Sequence, residues 1–234
     1  MLKRDRRMKS VRNLAFLLAP VALIAIIVSA TSGDDARAFS TSKFYTATIE
    51  TSEGNIDVAL DAKAAPIATK RFIELADKKY YDGLCIDRLA KDFVIQGGSP
   101  KCDQQGGEGH SVVGEVPKDN YPLGSLAAAK GGSDPAGTFD AQFFVVTGSQ
   151  GATLPNDYAR FGTVISGLEV AQKIEKLPTV GAAPDAKPVK KITIKRIRIK
   201  ETKTSAVPSS ASTAPGPSSS STAPAASSST TTKP

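Results

Sequence analysis

Residues 84–98 of this chain, LCIDRLAKDFVIQGG, carry the pattern from which its fold can be predicted. The pattern predicts two short strands, Leu84–Leu89 and Phe93–Gly97, joined by a turn at residues 90–92. The segment therefore indicates a β-hairpin that carries an arginine, Arg88, on its first strand.

Side chains on a strand alternate between its two faces, and this predicts which residues of the hairpin lie together. Ile86 and Arg88 are expected to share a face, as are Phe93 and Ile95, with Val94 and Gln96 on the opposite one. An arginine in a strand commonly lays its apolar stem on the sheet and keeps its charged head in water. On these residues alone, Arg88 could be either a surface residue or part of a functional site.

The order of residues around this hairpin resembles the signature of the cyclophilin family of peptidyl-prolyl isomerases. Tyr80-Tyr81-Asp82-Gly83, then Arg88, then Phe93-Val94-Ile95-Gln96-Gly97-Gly98 follow the family pattern Tyr-Tyr-Asp-Gly, Phe-His-Arg, Phe-Met-Ile-Gln-Gly-Gly. The segments that begin at Gly124, Ala141 and Leu154 are similar to three further family motifs, so the resemblance covers most of residues 45–200. Together with the basic and apolar N-terminal segment described below, the resemblance indicates a bacterial, exported or membrane-anchored cyclophilin.

Alternation and turn residues predict the other elements, about eight short strands and two helices in total. The resemblance implies that these form a mainly β fold, a closed eight-stranded antiparallel β-barrel capped by two α-helices. A phase slip between Ile194 and Ile197 predicts a β-bulge in the last strand. Residues 99–124 are rich in Gly, Pro, Asp and Gln, and predict a long surface loop. The other predicted elements are strands from Phe44 to Thr51, Ile56 to Leu60, Ser125 to Ala129, Gln142 to Val146 and Phe161 to Val164, and helices that begin at Pro66 and Leu168.

Matched residue by residue, the resemblance also implies a set of site residues. The catalytic arginine falls on Arg88. The proline pocket falls on Phe93, Val94, Phe144, Leu154 and Tyr158, and the contacts to the peptide backbone fall on Gln96, Ala129, Lys130 and Gln142. Among the departures from the family pattern, Asp87 stands in place of His, Lys130 in place of Asn and Asp140 in place of Gly.

The reaction that this family catalyses needs few chemical groups. Rotation about an X-Pro bond is opposed by amide resonance, with a barrier of about 20 kcal/mol. In the twisted state the proline nitrogen can accept a hydrogen bond, and a permanently charged arginine is suited to donate it. No bond breaks, so no metal and no cofactor is expected. His110 is the one histidine of the chain, which leaves little scope for a zinc site or a catalytic triad.

These observations predict a peptidyl-prolyl cis-trans isomerase that acts on proline-containing polypeptides during the folding of exported proteins. The alternative is a catalytically weak cyclophilin-fold module that binds proline-containing segments. Residues 44–200 carry a net charge of only +1 out of +7 for the whole chain, so binding to nucleic acid is not expected. We expect a monomer.

The composition of the two ends predicts the domain organisation. Residues 1–13 are basic and predict a cytoplasmic N-terminus, and residues 14–33 predict a transmembrane anchor or a signal segment. Residues 34–43 form a linker, residues 44–201 the isomerase domain, and residues 202–234 a disordered tail rich in Ser, Thr, Pro and Ala. We expect a single-pass membrane protein with the domain outside the cytoplasm; the alternative is secretion after cleavage near Ala38.

The chain has two cysteines, Cys85 and Cys102. Export places them in a compartment where disulfides persist, and a turn at residues 99–100 could bring Cys102 back beside the first strand of the hairpin. The alternative is a buried free Cys85 with an exposed Cys102, and the sequence leaves both open.

Overall fold

Eight strands close into an antiparallel barrel in a computed structural model that describes residues 38–204. The predicted fold class is confirmed: the barrel is accompanied by two α-helices, α1 (Pro66–Asp77) and α2 (Leu168–Glu175), and a 3-10 helix at Ser149–Thr153. The strands are β1 (Phe44–Thr51), β2 (Gly54–Leu60), β3 (Cys85–Ala90), β4 (Val94–Gly97), β5 (Val112–Val113), β6 (Ser125–Ala128), β7 (Thr138–Phe139), β8 (Phe143–Val146), β9 (Arg160–Ser166), β10 (Thr179–Val180), β11 (Lys187–Pro188) and β12 (Ile192–Thr202). Their order around the barrel is β1-β12-β3-β4-β8-β6-β9-β2.

Aromatic side chains fill the interior of the barrel beneath α1. Phe72 of α1 is fully buried, and its ring lies 5.1 Å from that of Phe161 and 5.6 Å from that of Phe143. Tyr81 packs against Phe72 at 5.4 Å and donates a hydrogen bond of 2.9 Å to the carbonyl oxygen of Ala141. A packed interior leaves the outer wall of the barrel as the place for a binding site.

Helix α1 begins as its sequence predicts, at a proline whose fixed φ suits the first turn. Its N-cap residue, Ala65, has no side-chain acceptor, and a distant carboxylate supplies one. Glu115 accepts hydrogen bonds from the backbone N–H groups of Ile67 and Ala68, at 2.9 and 3.3 Å. The loop between β5 and β6 thereby stabilises the start of α1.

The predicted bulge in β12 is confirmed. Glu50 pairs with Arg196 and Thr51 with Ile194, so Lys195 has no partner in the ladder between them. On either side of this extra residue, Ile194 and Ile197 both point into the barrel and are buried.

A second bulge, which the alternation pattern did not predict, lies at Asp87. Ile86 pairs with Gly97 and Arg88 with Gln96, so Asp87 is the extra residue. The prediction that Ile86 and Arg88 share a face is therefore wrong: Ile86 is in the barrel core, whereas Arg88 lines a cleft on the outer wall. The prediction that Phe93 and Ile95 share a face is also wrong. Phe93 lies in the turn before β4 and packs on the outer wall, whereas Ile95 is in the barrel core.

Two small two-stranded sheets lie in segments for which no strand was predicted. Strand β5, within the predicted loop 99–124, pairs with β7, and β10 pairs with β11 as a hairpin between α2 and β12. The β10–β11 hairpin is attached to β3, where the N–H of Leu89 donates to the carbonyl oxygen of Ala186 at 2.9 Å. This attachment places residues 184–187 beside the end of β3 that carries Arg88.

No helix among residues 38–204 is long and apolar enough to cross a membrane. The predicted anchor at residues 14–33 and most of the predicted tail, residues 205–234, lie outside the described residues.

Candidate functional site

A cleft of about 510 Å³ lies on the outer wall of the barrel, over strands β3, β4, β6 and β8. It brings together all but one of the site residues predicted from the sequence. Those that line it are Arg88, Phe93, Val94, Gln96, Ala129, Lys130, Phe144, Leu154 and Tyr158. The remaining one, Gln142, lies behind Gln96 and lines a neighbouring cleft of about 350 Å³.

Arg88 is held on three sides. One of its terminal nitrogens, Nη1, donates to Oε1 of Gln96 at 3.0 Å, and its Nε donates to Oδ1 of Asp185 at 3.0 Å and to the carbonyl oxygen of Pro184 at 3.1 Å. The centre of the guanidinium lies 5.8 Å from the ring centroid of Phe93, within the range of a cation–π contact. The side chain is only 15% exposed, so the guanidinium is fixed at the cleft wall.

Two glutamine amides extend this arrangement away from the arginine. Nε2 of Gln96 donates to Oε1 of Gln142 at 2.9 Å, and Nε2 of Gln142 donates to the carbonyl oxygens of Gly106 at 2.8 Å and Gln104 at 3.2 Å. Each amide fixes the orientation of the next, because an amide oxygen can only accept and its nitrogen can only donate. The orientation of Gln96, and with it the contact to Arg88, therefore depends on backbone carbonyls of loop 99–106.

An apolar pocket lies beside the guanidinium. Val94 and Phe144 are buried at its base, and the partly buried Phe93, Leu154 and Tyr158 pack against them. The rings of Phe144 and Tyr158 meet edge to face at 5.5 Å, a favourable geometry for an aromatic pair. A small apolar ring such as that of proline fits such a pocket.

Tyr121, which sequence reasoning did not single out, supports the pocket from behind. It is fully buried, and its hydroxyl donates to the carbonyl oxygen of Tyr158 at 2.8 Å and accepts from the N–H of Tyr158 at 3.0 Å. Burial raises the pKa of Tyr121, which keeps the hydroxyl protonated and able to donate. Tyr121 thereby fixes the backbone that carries a pocket residue.

Lys130 borders both clefts and is an ion-paired residue with a side chain only 3% exposed. Its Nζ lies 2.8 Å from Oδ2 of Asp157 and donates to the carbonyl oxygen of Asp134 at 3.0 Å. The hydrogen bond to Asp157 raises the pKa of Lys130, so the ammonium stays charged at neutral pH. The backbone N–H of the preceding Ala129 donates to the carbonyl oxygen of Gln142 at 2.8 Å, which fixes the strand edge at the cleft.

Asp87 and Asp140, the two acidic departures from the family pattern, stabilise loops. The Asp87 carboxylate is buried at the bulge, where Oδ2 accepts hydrogen bonds from the hydroxyl of Ser99 and from the N–H of Gln104. Asp140 accepts from the N–H groups of Glu108 and Gly109 and from the buried Arg71. Burial raises the pKa of Asp87, and the hydrogen bonds from Ser99 and Gln104 oppose that shift.

Cys85 and Cys102 are joined as a disulfide with a Cα–Cα separation of 5.3 Å. The bond connects β3 to loop 99–106, the loop whose carbonyls hold Gln142. The geometry therefore corresponds to the bonded alternative of the two that the sequence left open.

Five further cleft residues were not predicted: Asp103, Gln104, Gln105, Asp185 and Lys187. The first three lie in the predicted long loop, and the length of that loop was the one available signal for a functional role. The other two lie on or beside the β10–β11 hairpin, whose two-residue strands leave no alternation to detect.

Among residues 38–204 no group of three or more His, Cys, Asp and Glu side chains is placed to hold a metal ion. The chemistry available at the cleft is that of a fixed cationic donor next to an apolar pocket.

Comparison with known proteins agrees with this geometry. Residues 46–199 match the family described as cyclophilin type peptidyl-prolyl cis-trans isomerase/CLD. The chain is 33% identical over 161 residues to "Probable peptidyl-prolyl cis-trans isomerase B" of Mycobacterium tuberculosis (strain CDC 1551 / Oshkosh), a match that covers 62% of this chain and 51% of that protein. It is 36% identical over 144 residues to "Peptidyl-prolyl cis-trans isomerase cypE" of Dictyostelium discoideum, covering 59% of this chain and 90% of that protein.

A solved structure is also similar. The crystal structure of a Cryptosporidium parvum cyclophilin type peptidyl-prolyl cis-trans isomerase in the presence of the dipeptide Ala-Pro matches with a TM-score of 0.60 and 30% sequence identity. The match covers 66% of this chain and 98% of that one. The chain spans about half the length of the mycobacterial relative, 51%.

Proposed function

The chain belongs to the cyclophilin-type peptidyl-prolyl cis-trans isomerase family, and from this premise we propose that it accelerates rotation about X-Pro peptide bonds in polypeptides. The observation that carries the proposal is the position of the Arg88 guanidinium, which lines the same cleft as the apolar pocket formed by Phe93, Phe144 and Tyr158. The pocket would hold the proline ring while the flanking carbonyl turns.

The guanidinium has donors to spare for this reaction. Its Nε and one N–H of Nη1 are occupied by Asp185, Pro184 and Gln96. Among the described residues nothing accepts from its other terminal nitrogen, Nη2, so that group can donate to a substrate. A donor that reaches the proline nitrogen only in the twisted state lowers the barrier without stabilising the ground state.

The substrates we propose are proline-containing segments of proteins outside the cytoplasm. The Ala-Pro dipeptide belongs to the Cryptosporidium structure, and it supports a proline-containing ligand for this cleft by similarity. The basic and then apolar sequence of residues 1–33 supports export of a bacterial, membrane-tethered isomerase.

A second function, a module that binds proline-containing segments without useful catalysis, is favoured by one observation. The Nε of Arg88 faces the carboxylate of Asp185 at 3.0 Å, and a neighbouring negative charge weakens the donor's ability to stabilise a partial charge on the substrate. Both functions would use the same cleft, and they differ in the rate at which a bound X-Pro bond is isomerised.

A proline-peptide isomerisation assay on the full chain separates them. We expect Arg88→Ala to lower kcat/KM by about 100-fold, the loss typical of removing one aligned donor to a developing charge. Arg196→Ala, which removes an exposed arginine of β12 that pairs with Glu50 of β1 and does not line the cleft, should leave the rate unchanged. Equal slow rates for the unchanged protein and Arg88→Ala would reject catalysis and leave the binding module.

A further inference from the structure

We propose that Asp185 is a positioning residue for Arg88, supplied to the cleft by the β10–β11 hairpin. The proposal rests on the proposed isomerase function, in which Arg88 is the donor to the substrate. It goes beyond that function because it assigns a role to a segment that no motif of the chain points to.

The hairpin holds Asp185 in place through its backbone. The carbonyl oxygen of Asp185 accepts from Nε2 of Gln104 at 3.1 Å, and its N–H donates to the carbonyl oxygen of Ala182 at 3.1 Å. One residue further on, Ala186 is hydrogen-bonded to Leu89 of β3 at 2.9 Å and is buried. The backbone of Asp185 is thus fixed on both sides, although its side chain is 70% exposed.

The carboxylate determines the plane of the guanidinium. A guanidinium is planar, so an acceptor at Nε and another at Nη1 together fix the direction of every remaining N–H. Asp185 and Pro184 provide the acceptors at Nε, and Gln96 provides the acceptor at Nη1. The free N–H groups of this cleft residue are then fixed in direction before a substrate arrives.

The charges leave Asp185 a role in orienting Arg88, not in strengthening its electrostatic effect. A carboxylate next to the donor reduces the electrostatic stabilisation that the donor can give, so any benefit must come from orientation. Because Asp185 is exposed and solvent-screened, the effect should be moderate, about fivefold, as for an exposed ion pair. The carbonyl of Pro184 remains as a second acceptor when Asp185 is removed, which also limits the loss.

The test combines kinetics with a direct view of the arginine in the full chain. We expect Asp185→Ala to lower kcat about fivefold with KM within about twofold, and Asp185→Asn, which keeps an acceptor oxygen, to lower kcat less. In an Arg88→Ala background, Asp185→Ala should cause no further loss, because the residue acts through Arg88. A further loss in that background would overturn the proposal.

The Nε–H signal of Arg88 in a spectrum of 15N-arginine-labelled protein supplies a second measurement that needs no activity. Asp185→Ala should shift this signal and speed its exchange with water. The matched control is Asp103→Asn, which also removes one negative charge from the cleft. The Asp103 carboxylate accepts from the N–H of Gln105, so the Arg88 signal should stay in place in this variant. An unmoved signal in Asp185→Ala would overturn the proposal on its own, because it would show that the guanidinium keeps its place without the carboxylate.

The two measurements keep this inference separate from the proposed function. If the unchanged protein and Arg88→Ala are equally slow, the isomerase function fails, and with it the positioning role of Asp185 in that reaction. If Arg88→Ala is slow but Asp185→Ala is as fast as the unchanged protein, only the role of Asp185 fails.

Discussion

Two adjacent residues, Asp87 and Arg88, have opposite environments because a bulge separates them. Arg88 borders a cleft, whereas Asp87 turns into the protein and is only 3% exposed. One of its oxygens, Oδ1, is buried with no hydrogen-bond partner among the described residues. A charged carboxylate in such a place is costly, and its raised pKa is the direct result.

This raised pKa predicts how stability depends on pH. In the folded protein Asp87 holds a proton at pH values where the unfolded chain, with a pKa near 3.8, has lost it. The folded state therefore binds more protons in the interval from 3.8 up to the raised value, and stability falls as pH rises through that interval. We expect the unchanged protein to lose stability relative to Asp87→Asn over this interval in urea unfolding.

The quantity to compare is the slope of the unfolding free energy against pH. Its absolute value also changes in Asp87→Asn, because the variant buries an amide nitrogen at a cost that does not vary with pH. Asp82→Asn, which removes an exposed carboxylate, is the control for the loss of one negative charge. Parallel pH profiles for the unchanged protein and Asp87→Asn would contradict the prediction.

Residues within strands could be predicted from sequence, whereas contacts between distant segments could not. Arg88, Gln96 and Phe144 lie on three strands of one wall, and the resemblance of their motifs to those of the family was enough to identify them. Asp185 contacts Arg88 across 97 residues of chain, and it lies between strands of two residues each. Local periodicity carries no information on such a contact.

At the scale of elements, loop 99–106 is the part of the molecule that connects the bulge, the disulfide and the cleft. Asp87 and Cys85 attach it to β3, and its carbonyls at Gln104 and Gly106 hold Gln142. The composition of residues 99–124 predicted a loop, but not the path of residues 99–106, because a loop has no periodic pattern that would indicate its contacts. The bulge at Asp87 escaped prediction for a related reason: one extra residue in six leaves a pattern too short to show a change of phase.

The disulfide should stabilise the protein by restricting this loop in the unfolded chain. The bond spans 17 residues, and a loop of that length corresponds to about 3 kcal/mol in the chain-entropy description. We expect the paired variant Cys85→Ser with Cys102→Ser to lose about 3 kcal/mol of unfolding free energy in urea.

Reductant provides the matched control for this loss. It should lower the stability of the unchanged protein and leave the paired variant as it was. A mass two hydrogens above the oxidised value, in protein isolated without reductant, would show free thiols and contradict the prediction.

At the scale of the whole molecule, the positive and negative charges of the isomerase domain nearly cancel. On the outer face of β12 the basic residues Lys195, Arg196 and Arg198 are exposed. The last two pair with Glu50 on β1, which offsets part of their charge. The excess positive charge of the chain therefore lies mainly in residues 1–43, which contain eight Lys or Arg and three Asp or Glu.

That charge distribution leads to our prediction about the N-terminal segment. A cluster of cations followed by an apolar run keeps the first residues in the cytoplasm and the following domain outside. The apolar run from Leu14 to Ala30 has no charged residue, and with residues 31–33 it approaches the length of a membrane span. We propose that it is retained as an anchor, with the isomerase domain facing outward.

We expect the full chain to sediment with membranes, to resist extraction by carbonate and to be digested by protease added from outside. Changing Leu23 and Ile27 together to Asp should abolish the anchoring, because each aspartate at the centre of a span costs about 3 kcal/mol. Leu23→Val with Ile27→Leu keeps the apolar character and serves as the control, which should remain in the membrane fraction. Soluble protein outside the cell whose first residue is Phe39 would instead show that the segment is removed after Ala38, and the anchor would be rejected.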